Sequence, residues 1–137
     1  MRYYSPFRPV GPGTFPRGGV KTICNFDARK YVLEARCEAW GYAEYDRVLS
    51  KREVYDYELV PVLRLRYIGK DNWGRCVYRD EFGKIRKMTE VGMDHRDLEE
   101  MRGVTLYSAS GNEFEGEPDV RVRDDIVPWF VEEGEEA

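Results

Sequence analysis

Apolar and charged residues alternate along the stretch from Leu63 to Thr89, and short glycine-bearing turns interrupt it. Leu63-Arg64-Leu65-Arg66-Tyr67-Ile68 leads to Gly69-Lys70-Asp71-Asn72-Trp73-Gly74 and then to Arg75-Cys76-Val77-Tyr78-Arg79. A second turn, Asp80-Glu81-Phe82-Gly83, precedes Lys84-Ile85-Arg86-Lys87-Met88. Alternation with period two marks strands that have one dry face and one wet face. The stretch therefore reads as a three-stranded meander, the core of a mostly β domain. Arg64 and Arg66 fall on one face, and Leu63, Leu65 and Tyr67 on the other.

The rest of the chain fits a small fold of the same class. At 137 residues the chain suits one domain, or two small ones. Between Tyr3 and Gly19 stand Pro6, Pro9, Pro12 and Pro16, with glycines at 11, 13, 18 and 19. Proline fixes φ and has no N–H, so residues 1–19 read as an extended arm excluded from any central strand. Tyr3, Tyr4, Phe7 and Phe15 would anchor it. Val20 to Phe26 alternates as a strand, Asp27 to Lys30 reads as a turn, and Tyr31 to Leu33 as a short strand or the entry to a loop. Ala39-Trp40-Gly41-Tyr42-Ala43-Glu44-Tyr45 also alternates, and its small residues suggest close packing on one face.

Ser50-Lys51-Arg52-Glu53 matches a capping box and predicts a short helix to about Glu58, ended by Pro61. A second short helix is expected from Asp94 to Gly103, with Asp94 as its cap. Strands are expected at Val104–Tyr107 and Val120–Arg123, with a polar loop between them. Ile126, Val127, Trp129, Phe130 and Val131 would form a last edge strand, which tolerates Pro128. These elements predict an α+β, mostly β fold: a small bent antiparallel sheet or partly open barrel with two short helices. The single domain would span 20–131, with a possible sub-boundary near 60–62, and end in an acidic tail at 132–137.

Charge is unevenly placed. The net charge is −4, but residues from Glu113 onward carry −8 and residues 1–112 carry +4. A coat of phosphate-binding lysines is absent, which argues against sequence-independent duplex binding. The three cysteines, Cys24, Cys37 and Cys76, are far apart and form no CxxC. A zinc ribbon or disulfide framework is not expected, and a reducing cytoplasm is. No apolar run approaches membrane-spanning length, so no membrane partner is expected.

Catalytic chemistry finds few candidates. His95 is the only histidine. Asp94, His95 and Asp97 point in different directions on a helix and make a poor metal set. A cysteine on a strand face is usually a small core residue, not a nucleophile awaiting His95. Asp80-Glu81 and Asp124-Asp125 are chain neighbours, unlike acid–base pairs held across a cleft. The expectation is a non-enzyme with no catalytic residue, no cofactor and no metal.

Two surfaces are candidates for binding. Arg64, Arg66, Trp73, Arg75, Tyr78 and Arg79 interleave guanidinium and aromatic groups, which suits stacked bases and phosphates. Glu113, Glu115, Glu117, Asp119, Asp124 and Asp125 space carboxylates in a way that imitates phosphates and would dock into a basic groove.

Several stretches resemble small accessory proteins of bacterial mobile elements. They are Arg2-Tyr3-Tyr4, Arg8-Pro9, Pro12-Gly13-Thr14-Phe15-Pro16, Asn25-Phe26-Asp27 and Ala39 through Asp46. Asp71-Asn72-Trp73, Asp80 through Lys84 and Phe114 through Asp119 look like a turn-rich module of such proteins. The resemblance covers most of the chain and carries no catalytic signature. It implies a setting: conjugative elements, plasmids and phages carry small proteins that blunt host defences, including inhibitors of CRISPR and of restriction. The expectation is thus a protein-interaction module that binds and inhibits a host nucleic-acid enzyme, such as a CRISPR effector. The alternative is a small β-barrel that binds single-stranded nucleic acid.

Overall fold

A computed structural model describes residues 1–109, 112–121 and 126–131. The fold is mostly antiparallel β, with eight strands and two short helices among the described residues. The chain forms two compact units that meet between Leu63 and Arg64, inside strand β4 (Val60–Lys70). No helix among the described residues is long and apolar enough to cross a membrane.

The first unit has the strand order β2-β3-β1-β4. Strand β1 is Arg2–Ser5, β2 is Val20–Val32 and β3 is Cys37–Tyr45. β1 corrects the expectation of an arm outside the sheet. It pairs with β3 on one side and β4 on the other, and Tyr3 and Tyr4 are buried. The prolines begin only at Pro6, so these four residues keep every N–H that a central strand needs. Phe7 is 62% exposed and anchors nothing, another correction. The segment that follows is held by polar contacts instead. The Asn25 side chain exchanges two hydrogen bonds of 2.8 Å with the backbone of Val10, and the Tyr45 hydroxyl donates to the Pro16 carbonyl.

The expected turn at Asp27–Lys30 is a bulge inside one long strand. Asn25 faces Gly41 and Lys30 faces Ala39, so the extra residues of β2 loop out while pairing resumes beyond them. On β3 the small residues do mark a close approach. A Cβ on Gly41 would lie 2.1 Å from the Cys24 carbonyl oxygen.

Helix α1 (Lys51–Asp56) carries the expected capping box, with Ser50 and Glu53 satisfying each other's backbone N–H. It ends two residues early, where Glu58 takes a left-handed φ of 53°. Arg47 braces the helix start. Its guanidinium donates to both Glu53 carboxylate oxygens, at 3.0 and 2.9 Å, and its Nε to the Gly18 carbonyl.

The second unit pairs β4 with β5 (Cys76–Asp80), β5 with β6 (Ile85–Lys87), and β6 with β7 (Tyr107–Ser108). Strand β8 (Val127–Phe130) also pairs with β4. Two hairpin turns share one construction. The Asp71 Oδ1 accepts the N–H groups of Trp73 and Arg75, and the Asp80 Oδ1 accepts those of Phe82 and Lys84. Gly74 and Gly83 supply the left-handed residue of each turn, at φ 81° and 83°.

The remaining differences are local. Helix α2 is Leu98–Arg102, shorter than expected, because Asp97 and not Asp94 caps it. The expected strand at Val104–Tyr107 is only Tyr107–Ser108. Val120 and Arg121 lie in a turn, not a strand. Val122 and Arg123, and the tail at 132–137, lie outside the described residues.

Candidate functional site

The second unit holds a cleft of about 980 Å³. Its aromatic wall comes from four places in the chain: Tyr67 on β4, Tyr78 on β5, His95 before α2, and Phe130 on β8. Among its described lining residues, Arg66, Lys70 and Arg96 carry positive charge and Asp94 carries negative charge.

Local sequence explains how these groups meet. Tyr67 and Tyr78 are direct cross-strand partners, with ring centroids 5.6 Å apart in an edge-to-face arrangement. Between Tyr67 and Gly69 the register shifts, and Gly69 takes φ 142°. This bulge breaks strict alternation and lets Tyr67 and Lys70 line one cleft. Asp94 forms a tight turn. Its Oδ1 accepts from the Arg96 N–H at 3.0 Å and from Nε at 3.1 Å, and its Oδ2 accepts from Nη2. The Arg96 guanidinium and amide hold the Asp94 carboxyl below its ordinary value. The turn presents the His95 ring flat on Tyr67, 3.7 Å between centroids and 3° between planes.

Tyr78 is 1% exposed, and Phe130 tilts against it at 5.0 Å. Burial pushes its phenol upward, and the nearby Cys76 and Tyr67 add to this. The group thus stays protonated and able to donate. Among the described residues its hydroxyl has no hydrogen-bond partner. A buried polar atom left unsatisfied is uncommon and marks a place where a partner would be stabilising.

Of the six basic and aromatic residues singled out in the sequence, the cleft gathers Arg66 and Tyr78. Arg64 lies over the Trp129 ring at 5.0 Å. Trp73 is 65% exposed in its turn. Arg75 is buried, with its Nε 2.7 Å from the Asp71 Oδ2 and its Nη1 2.9 Å from the Glu117 Oε2. Arg79 forms an ion pair with Glu113. Two members of the acidic series therefore neutralise two members of the basic one. Asp119 pairs locally with Arg121 at 2.9 Å, and Glu115 is exposed. Asp124 and Asp125 lie outside the described residues.

His95, Lys70, Arg96 and Phe130 escaped the sequence reading of this site. The legible signal was the Asp94-His95-Arg96 run, which fits an aspartate-stabilised turn as well as a helix start. Among the described residues no three His, Cys, Asp or Glu side chains gather as metal ligands would.

Residues 1–64 are similar to a protein family described as defence against restriction A, C-terminal. The matched stretch is just under half of the chain, and it coincides with the first structural unit, Met1–Leu63, to within one residue. No curated protein and no solved structure matches the chain.

Proposed function

We propose that this protein serves a mobile genetic element by blunting host restriction, and that it does so by docking on a host defence protein without catalysing a reaction. One observation carries the reading: the similarity to a restriction-defence family starts and stops with a structural unit, as it would for an inherited module. The resemblance of Arg2-Tyr3-Tyr4 and Ala39 through Asp46 to accessory proteins of mobile elements falls in the same unit.

The chemistry of that unit favours docking. Several of its charged side chains brace backbone or each other: Arg47 holds Glu53, Arg29 holds Glu38, and Arg8 holds Glu58. Among the described residues its strand β2 pairs only with β3, which leaves one edge open, and Ile23 and Tyr31 on it are exposed along with Leu33 just beyond. An open edge with apolar side chains is a surface on which another protein adds a strand.

The likeness to that family supports a restriction nuclease as the partner, with a CRISPR effector as the other nuclease to test. Extract from a restricting bacterium should cleave unmodified plasmid more slowly when the purified full chain is added. A parallel reaction with a CRISPR effector and its target tells the two apart. Unchanged cleavage in both reactions contradicts the proposal.

A further inference from the structure

We draw no further inference here: the strongest candidate, the surface formed by the exposed Trp73 and Val91 side chains on two turns that meet where the Gly92 N–H donates to the Gly74 carbonyl, carries nothing because nothing in the structure shows what covers it.

Discussion

The Lys87 ammonium lies 3.3 Å from the Asp71 Oδ2, and both side chains are fully buried. Lys87 also donates to the Gly116 carbonyl at 2.6 Å, and Asp71 holds Arg75 as well. Burial alone would raise the Asp71 carboxyl, but the N–H groups of Arg75 and Trp73 together with the Arg75 and Lys87 side chains outweigh it and leave it below its ordinary value. A charge buried this way depends on its partners. Lys87→Met should destabilise the protein by about 3 kcal/mol, because it removes one of two cations from a buried carboxylate. Urea unfolding measures this as a lower midpoint with an unchanged slope. A loss below about 1 kcal/mol would mean that Arg75 alone suffices.

Gly41 tests a different constraint, space. A Cβ there would meet the Cys24 carbonyl at 2.1 Å. The strands must part to admit it, so Gly41→Ala should cost about 3 kcal/mol. Gly83 is the contrast. Its φ is +83° but nothing lies within 4 Å of a new Cβ, so Gly83→Ala should cost only about 1 kcal/mol, from the left-handed backbone. Thermal or urea unfolding of the two variants should rank them in that order.

Acid should loosen the first helix. The Arg47 guanidinium and the Ser50 backbone N–H hold the Glu53 carboxyl down to about 2. A folded value below the unfolded one gives stability that is present above the ordinary carboxylate range of about 4.3 and lost as pH falls toward 2. Water reaches this pair, so its share is modest and salt-sensitive. Melting curves of the parent and Glu53→Gln should therefore differ at neutral pH and converge near pH 2. Curves that stay parallel would show that the charge contributes nothing. Ser50→Ala should remove about 1 kcal/mol through the lost cap.

Alkali should act through the tyrosines. Burial pushes Tyr4 and Tyr45 up to about 12. Folded values above the unfolded one, about 10, give stability present below pH 10 and lost as pH rises toward 12. Absorbance titration should show two classes of phenol, the later class ionising together with unfolding. A single class near the ordinary value would contradict the burial of these rings.

Much of the architecture was legible from pattern. Alternation at Leu63–Arg66 placed a dry face, Ser50 and Glu53 announced a helix start, and Ala39, Gly41 and Ala43 announced a close approach. What escaped depends on pairing and not on composition. Strand β1 is four residues long and adjoins a proline-rich run, so its neighbours masked it. The bulges in β2 and β4 exist only relative to a partner strand, and the one after Tyr67 shapes the cleft. The neutralisation of Arg79 by Glu113 and of Arg75 by Glu117 joins residues 34 and 42 positions apart, a separation that no local reading spans. The position of His95 turned on Asp94 closing a tight turn before the helix, a choice that the run Asp94-His95-Arg96 leaves open.

The central claim is that the protein protects an incoming element from restriction. Its most direct measure is the transformation efficiency of an unmodified plasmid in a restricting host, divided by that in an isogenic host lacking the nuclease. Expression of the full chain should raise this ratio toward one and leave the second host unaffected. A ratio that stays at its restricted value, with the protein folded and present, would contradict the account.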